Sequence, residues 1–302
     1  MTGLLLLDKP QGITSFSAVS AVKRLTNEKR VGHTGTLDPM ATGVLPVLIG
    51  RATAISGLIL DGDKKYIAEI KLGITTDTDD ITGKILSDSA VNVDNEKLLE
   101  VLNRFVGKIS QTPPMYSAIK KDGVRLYKLA REGRTVELTP RNVEIFGIRL
   151  LSSLNDEGVF KIETHVSKGT YIRSLARDIG RELGCGATLL SLRRTYAAGF
   201  SISDCVELAK LDNINISGYI LSEEAALLHL REIKITKNQA VRFCNGGRLS
   251  YDRLSLPNGR VEDGELFRVK SDNLLLGIGF ADNTNMHIGI KCIINYPEGH
   301  NR

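Results

Sequence analysis

GHTGTLDP, residues 32–39, combines two glycines with a proline that directly follows an aspartate. Glycine permits positive φ angles or a close approach of the backbone to a neighbour. Pro39 biases Asp38 away from the α region. We therefore interpret the stretch as a shaped loop that holds the carboxylate of Asp38 in a fixed direction. An Asp-Pro pair is also a common turn starter, and His33 is equally compatible with a capping or core role.

The segments on both sides of this loop predict regular structure. Residues 3–8, GLLLLD, indicate a buried strand, and Thr14 or Ser15 is placed to cap a helix with apolar residues at helical spacing. Residues 44–50, VLPVLIG, form another buried apolar run. Residues 64–74, KKYIAEIKLGI, alternate between apolar and polar side chains and predict a strand with Tyr66 on its apolar face.

The clearest strand–helix unit lies further along, at residues 158–186. Alternation over residues 160–166 predicts a half-buried strand, and apolar positions from Ile172 to Leu183 predict a helix that Gly184 ends. His165 falls on the polar face of that strand, and we expect it to be solvated rather than catalytic.

Arg173 is predicted in the first turn of this second helix. A cation there opposes the helix dipole, at a cost of roughly 0.3–1 kcal/mol when exposed. Arg173 is therefore either an ordinary surface arginine or the partner of a carboxylate or a phosphate. Arg177 and Arg181 follow at four-residue spacing, and we expect them to form a solvated stripe.

Composition excludes several functional classes. The 302 residues are 42% hydrophobic and 25% charged, close to the average for globular proteins. No apolar run approaches the ~20 residues of a membrane span, and the N-terminal residues lack the basic region of a signal peptide. The four cysteines are far apart, which argues against a zinc site or a disulfide framework. The acidic segment 75–83 does not fit a calcium loop. We expect a cytoplasmic protein without a bound metal.

Positive charge is concentrated in one part of the chain. Residues 104–149 contain ten Lys and Arg but four Asp and Glu, whereas the whole chain has a net charge of +5. A basic segment that also carries Tyr116 and Tyr127 suits a polyanion, although a solvated loop face explains it equally well. From about Leu230, short apolar pieces alternate with turn residues, which predicts a small β-rich domain after a helical connector at 221–230.

Six separated motifs, in matching order over residues 4–200, make the chain resemble the tRNA pseudouridine-55 synthases. The motifs are DKPQGITS, GHTGTLDPMATGVLP, KKY, PPMYSAIKKDG, SKGTYIRSLARDIG and LRRT. The C-terminal residues resemble that family's appended PUA domain, a small RNA-binding β-barrel, through NQAVRFCNGGRL and LLLGIGFAD. The resemblance implies an α+β fold with a mixed, mostly antiparallel central sheet, flanking helices and a C-terminal β-rich domain. It places the catalytic domain at 1–228, with a basic RNA-clasping insertion at about 110–141, and the PUA-like domain at 229–302.

The resemblance also implies roles for individual residues. Asp38 matches the catalytic aspartate, and Arg173 matches the arginine that pairs with it. The remaining matched positions, all implied to contact the RNA substrate or line its site, are Tyr66, Leu192, His33, Tyr171 and Lys9. The implied reaction converts uridine 55 in the T-loop of tRNA to pseudouridine by base flipping. It requires no cofactor and no obligatory protein partner, and the protein is expected to be a monomer.

Three other functions are compatible with parts of this pattern. A guide-RNA-dependent synthase shares the catalytic motifs but usually has longer terminal extensions. A non-catalytic RNA-binding or tRNA-folding protein would not need the combination of Asp38, Tyr66 and Arg173. A glycosidase would need paired carboxylates, whereas the motifs supply one. The sequence leaves open whether Asp38 acts as nucleophile or base.

Overall fold

The computed structural model describes residues 1–59, 62–117, 119–121, 123–134 and 136–297. For Lys120, Lys121, Arg125, Tyr127 and Arg131 it describes the backbone alone. Within these ranges the chain forms a large mixed sheet flanked by helices, and a smaller sheet near the C terminus. This arrangement confirms the predicted α+β fold with a C-terminal β domain.

The strands of the first 222 residues are β1 Gly3–Lys9, β2 Val31–His33, β3 Thr42–Ile49, β4 Lys64–Leu72, β5 Ile74–Thr76, β6 Ile85–Asp88, β7 Gly107–Gln111, β8 Lys120–Lys121, β9 Val124–Arg125, β10 Arg141–Ser152, β11 Val159–Val166, β12 Ala187–Ala197, β13 Phe200–Ser201, β14 Val206–Glu207 and β15 Ile220–Leu221. The later strands are β16 Arg231–Lys234, β17 Leu249–Ser250, β18 Leu266–Ser271, β19 Leu274–Asp282 and β20 His287–Ile293. The α-helices are α1 Ser15–Thr26, α2 Ser56–Ile59, α3 Asn95–Arg104, α4 Leu126–Arg131, α5 Ile172–Glu182 and α6 Lys237–Cys244.

The large sheet has the order β14-β1-β3-β12-β4-β11-β10-β7 among the described residues, with β15, β2 and β13 paired at its sides. The pairs β1–β14 and β3–β12 are parallel, and the other pairs in this sheet are antiparallel. The second sheet has the order β16-β18-β19-β20-β17. In the large sheet, β3, β12 and β4 are neighbours, so the loop that precedes β3 lies beside the strands that carry Tyr66 and Leu192.

Local sequence explains why these elements form where they do. Along β4 the buried positions alternate with partly exposed ones, as the sequence pattern predicts. Thr14 caps α1 by accepting a hydrogen bond from the backbone N–H of Ser17, and Asp94 caps α3 in the same way through Lys97. The predicted helical connector is shorter than expected, because residues 223–227 form a single 3₁₀ segment.

The apolar side chains form three groups. One group packs one face of the large sheet against α1, α3 and α5, and includes Tyr66, Leu192 and Leu37. A second group joins the two sheets through residues Leu4, Leu6, Leu48, Ile55, Leu275, Ile278 and Ile294. The third fills the C-terminal β domain. The second group is continuous and apolar, so the C-terminal domain is attached to the rear of the large sheet by a shared core.

The predicted boundaries of the two domains and of the basic insertion stay predictions. The division at residue 228 lies within the segment between β15 and β16. The last five residues of the predicted PUA-like domain, 298–302, lie outside the described residues, as do positions 118, 122 and 135 of the predicted insertion. None of the described helices is long and apolar enough to cross a membrane.

Candidate active site

Asp38 lies in a loop between the end of β2 and the start of β3. The loop is fastened to the residues that precede α1: the Ser15 hydroxyl donates to the Leu37 carbonyl at 3.0 Å and accepts from the Leu37 N–H at 2.8 Å. In the turn that precedes Ser15, the N–H of Gly12 donates to the Pro39 carbonyl at 2.8 Å. These bonds bracket Asp38, so its carboxylate is held by backbone on both sides, as the GHTGTLDP stretch predicts.

The Asp38 carboxylate meets a buried arginine. The Nε atom of Arg173 lies 2.9 Å from Oδ2 of Asp38. The Arg173 side chain is 5% exposed, whereas the Asp38 side chain is 36% exposed. The structure therefore places a carboxylate against Arg173, one of the alternatives that the sequence left open, and it leaves the opposite side of that carboxylate open to an incoming ligand.

The rest of the Arg173 guanidinium is also occupied. Its Nη1 atom donates to the Thr78 carbonyl at 3.0 Å, and its Nη2 atom donates to the Tyr116 carbonyl at 2.8 Å. The carboxylate of Asp80 lies 3.7 Å from Nη1. Two carboxylates and two backbone carbonyls surround the planar guanidinium. Arg173 therefore cannot rotate away from Asp38 without losing several charge-assisted hydrogen bonds.

Burial raises the pKa of Asp38 above its ordinary value of 3.8, and the charges of Arg173 and Lys9 oppose this shift. The charge of Asp80 adds to it. The two cations therefore favour the ionised carboxylate in surroundings that would otherwise favour its protonated form.

Lys9 is a fully buried cation at the end of β1. Its Nζ atom donates to the carbonyls of Pro10 and Ile13, each at 2.8 Å. Burial lowers the pKa of Lys9 to about 8, although the charge of Asp38 raises it. At pH 7 the amine is mainly protonated, so it holds the turn before α1 and contributes positive charge to the site.

Tyr66 and Leu192 lie on the apolar face of the sheet, in neighbouring strands. Leu192 is paired with Ala68, and Arg194 is paired with Tyr66, so all four residues point to the same face. Both Tyr66 and Leu192 are almost buried and belong to the same apolar group as Leu37, the residue before Asp38. They form an apolar surface on that face of the sheet.

Tyr171 and His33 lie at the margin of the site. Tyr171 precedes α5, and its backbone N–H and carbonyl pair with the side chain of Gln111 at 2.9 and 3.1 Å. Burial raises the pKa of its phenol. His33 ends β2, and its Nδ1 atom is buried without a hydrogen-bond partner among the described residues. Burial and the charge of Arg194 lower the pKa of His33, so its ring is neutral near pH 7.

Two expectations from the sequence were wrong. Arg177 is not part of a solvated stripe, because its guanidinium reaches Asp79 at 3.0 Å and Asp178 at 3.1 Å. Arg181 does face solvent, with a side chain 75% exposed. His165 is half-buried and hydrogen-bonded to Asp63, so it is not simply solvated. Arg177 turns inward because the acidic turn at 75–83 lies against that face of α5.

Sequence reasoning missed two buried groups, Asp80 and Arg194. Asp80 was considered only as part of an acidic segment that does not fit a calcium loop, yet it is 4% exposed and lies beside Arg173. One sequence signal could have indicated its burial: the acidic segment 75–83 is matched by Arg173 and Arg177, which lie one helical turn apart on α5. Arg194 stands within the LRRT motif but received no role. Within the described ranges, no three His, Cys, Asp or Glu side chains are grouped so as to hold a metal ion.

Comparison with known families matches most of the chain. The model described as "TruB family pseudouridylate synthase (N terminal domain)" matches residues 23–172. The model described as "tRNA pseudouridylate synthase B C-terminal domain" matches residues 173–232. Together they span the loop of Asp38, α5 with Arg173, and β12 with Leu192.

Curated relatives align over nearly the whole chain. The tRNA pseudouridine synthase B of Clostridium novyi is 43% identical and covers 95% of this chain and 98% of its own length. That of Prochlorococcus marinus is 40% identical, with 97% of both chains covered. Among solved structures, "Crystal Structure of a Cbf5-Nop10-Gar1 Complex" matches with a TM-score of 0.74 and 26% identity, covering 97% of this chain and 85% of that one.

The mixed sheet and the buried arginine beside a loop aspartate, taken with these matches, define a pseudouridine synthase. Within that class, the chain belongs to the TruB family of pseudouridylate synthases.

Proposed function

We propose that this protein converts uridine 55 in the T-loop of tRNAs to pseudouridine, using Asp38 and no cofactor. The observation that carries the proposal is the Asp38 carboxylate, held at 2.9 Å by the buried guanidinium of Arg173 and open on its other side. The names and near full-length alignment of the curated relatives support tRNA as the substrate.

The reaction is an isomerisation, so no atom is gained or lost overall. The N1–C1′ bond of the nucleotide breaks, the uracil turns within the site, and C5 bonds to C1′. The proton from C5 leaves, and N1 ends protonated. Asp38 acts on the sugar in one of two ways: it attacks C1′ and leaves again when C5 bonds there, or it removes the C2′ proton and returns it afterwards. Both routes require the ionised carboxylate, which Arg173 and Lys9 favour.

The target base has to leave its stack before Asp38 can reach its sugar. Flipping a nucleotide costs a few kcal/mol, which contact with aromatic and apolar side chains offsets. Tyr66 and Leu192 supply that surface, since they are neighbours on one face of the sheet. His33 precedes Asp38 by five residues, and its neutral ring with an unpartnered Nδ1 suits insertion into the space that the flipped nucleotide leaves.

Affinity for tRNA comes mainly from phosphate contacts in this proposal. The insertion at about 110–141 carries the excess of basic residues, and phosphate contacts position RNA without reading sequence. Tyr171, just before α5, pairs through its backbone with the side chain of Gln111 in this insertion. The C-terminal domain adds RNA affinity but no catalytic group. We further propose that the protein works as a cytoplasmic monomer without a protein partner.

The test is a reaction of the purified protein with an unmodified tRNA transcript, with nothing else added, followed by mapping of pseudouridine. The expected result is modification at position 55 alone. A matched transcript with cytidine at position 55 is the control and remains unmodified. Modification elsewhere, or a requirement for a second protein, contradicts the proposal.

A further inference from the structure

Arg194 on β12 is one of the most deeply buried side chains of the described residues, with 1% of its surface exposed. Its Nε atom donates to the Val44 carbonyl at 2.8 Å, and its Nη2 atom donates to the Gly35 carbonyl at 3.0 Å. Gly35 precedes Asp38 by three residues and Val44 follows it by six. A single guanidinium therefore holds both ends of the loop that carries Asp38.

The backbone of Arg194 also fixes this loop. Strands β3 and β12 run parallel and pair at Arg193–Thr42 and Arg194–Gly43. A Cβ atom on Gly43 would lie 2.1 Å from the Arg194 carbonyl oxygen, and Gly43 has φ +104°. The crossing is therefore too close for any side chain at position 43. The side chain and the main chain of Arg194 define where the loop leaves and where it returns.

Stability alone does not explain a guanidinium at this position. A buried cation costs several kcal/mol unless its hydrogen bonds are satisfied, and an apolar residue of similar volume is often equally or more favourable. Both partners of Arg194 shown above are backbone carbonyls rather than carboxylates. What a guanidinium provides, and an apolar side chain does not, is a rigid fork that can reach two carbonyls at once.

Arg194 also touches the surface proposed for the base. It pairs in register with Tyr66, on the same face as Leu192. From that position its fork reaches the loop of Asp38. Arg194 therefore links the strand position of the base-contacting ring directly to the loop that carries the carboxylate.

We infer that Arg194 is a positioning residue, which sets the distance between the Asp38 carboxylate and the nucleotide held at Tyr66. Displacement of a reacting group by about 1 Å can reduce a rate about 100-fold. The inference rests on the proposed function for the reaction that it serves. It goes beyond that function by assigning a role to a residue that does not reach the substrate.

The test compares Arg194→Lys and Arg194→Met with the matched control Arg193→Lys. Lysine keeps the charge but lacks the fork, and methionine removes both. Arg193 is the adjacent residue on the same strand, and a lysine there can keep the ion pair that Arg193 forms with Asp8 at 2.7 Å. The measurements are the single-turnover rate on a tRNA transcript with enzyme in excess, the tRNA affinity and the thermal unfolding curve.

We expect Arg194→Lys to lower the rate about 100-fold, with tRNA affinity unchanged and cooperative unfolding retained. The control keeps the wild-type rate. An Arg194→Lys protein with the wild-type rate overturns the inference. So does a rate loss fully explained by weaker tRNA binding, or a failure of both variants to fold, because either result makes the role of Arg194 one of binding or of folding.

A second readout separates position from charge. Burial and then the charge of Arg194 lower the pKa of His33, which NMR titration can follow. The pKa of His33 stays low in Arg194→Lys and rises in Arg194→Met. A low rate with an unchanged His33 pKa in the lysine variant assigns the effect to geometry. Equal rates for the lysine variant and the wild type, with only the methionine variant impaired, assign it to charge and overturn the positioning role.

Different results would contradict the proposed function and the role of Arg194. If the wild-type protein forms no pseudouridine in tRNA, the proposed function is wrong and the His33 titration alone reports on the loop. If the wild type is active and Arg194→Lys is equally active, the function stands and the positioning role is wrong.

Discussion

Replacing Arg173 with methionine removes the cation from the Asp38 carboxylate while keeping a side chain of similar length. The change removes the contact of 2.9 Å to Asp38 and the donors to the carbonyls of Thr78 and Tyr116. It also removes the nearest cation from Asp80, at 3.7 Å. Two carboxylates then share one site, and the pKa of Asp38 rises further because Arg173 is the largest factor that lowers it.

The size of the effect follows from the burial of the pair. Breaking a buried ion pair by removing one partner costs about 3–5 kcal/mol. Asp38 is 36% exposed, so water compensates in part and the lower end of that range applies. That free energy is lost from folding stability. The rate of isomerisation falls separately, by roughly 100-fold, as it does when one preorganised donor is removed from a reacting group.

Single-turnover rates measured from pH 5 to 9 would show this loss, and also a shift of the acid limb. Because the ionised carboxylate is the reactive form, a higher pKa for Asp38 moves the half-maximal rate to higher pH. Arg181→Met is the matched control, since Arg181 lies on the same helix with its side chain 75% exposed, and it keeps the wild-type profile. An Arg173→Met protein with a rate within a few-fold of wild type, or with an unmoved acid limb, refutes this reasoning.

Three further predictions follow from the same structure. In the wild type, burial of Asp38 places the acid limb of the pH–rate profile above 3.8, and a midpoint at or below that value contradicts the assigned role. Gly43→Ala lowers the free energy of unfolding by at least about 2 kcal/mol in urea titrations, because the added Cβ meets the Arg194 carbonyl. The control Gly57→Ala, whose added Cβ meets no atom within 4 Å, leaves it unchanged. Log tRNA affinity falls with log salt at a slope of about −0.7 to −0.9 per neutralised phosphate, and replacing Lys120, Lys121 and Arg125 together makes this slope less steep. An unchanged slope would mean that these three residues only form a solvated face.

Several regular elements of the catalytic half could be predicted from sequence because they carry a local signal. Alternation along β4 and β11 places the apolar side chains on one face, and both strands are observed with that pattern. Capping residues at Thr14 and Asp94 mark the starts of two helices. The connector at 221–230 carried a weaker signal, since a few apolar residues at helical spacing do not distinguish a 3₁₀ turn from an α-helix.

The site was predictable where one residue type is unusual in its local setting. A cation in the first turn of α5 and an aspartate locked against a proline are both visible without a structure, and they meet at 2.9 Å. Asp80 and Arg177 are not unusual in their own local settings, because a charged residue in an acidic turn or on a helix usually faces solvent. Their burial depends on the packing of the 75–83 turn against α5, a contact between segments about 100 residues apart.

Arg194 shows a further limit of sequence reasoning. Arg193 and Arg194 are successive residues of β12, so their side chains point to opposite faces of the sheet. At least one of the two would ordinarily be expected to face solvent. One of them, Arg193, does reach the exposed side and pairs with Asp8. The other is buried because the sheet order brings β3 next to β12, and this parallel pairing has no local signal in either strand.

The most direct test of the central claim is conversion of uridine 55 by Asp38→Ala under single-turnover conditions, compared with the wild type. Alanine removes the carboxylate and leaves Arg173 with its carbonyl partners, so the fold and tRNA binding are retained. Asp38→Asn, which keeps the size of the side chain, accompanies it. We expect pseudouridine at position 55 with the wild type and none with Asp38→Ala, at equal tRNA occupancy. A folded Asp38→Ala protein that converts uridine 55 at a rate near that of the wild type contradicts that claim.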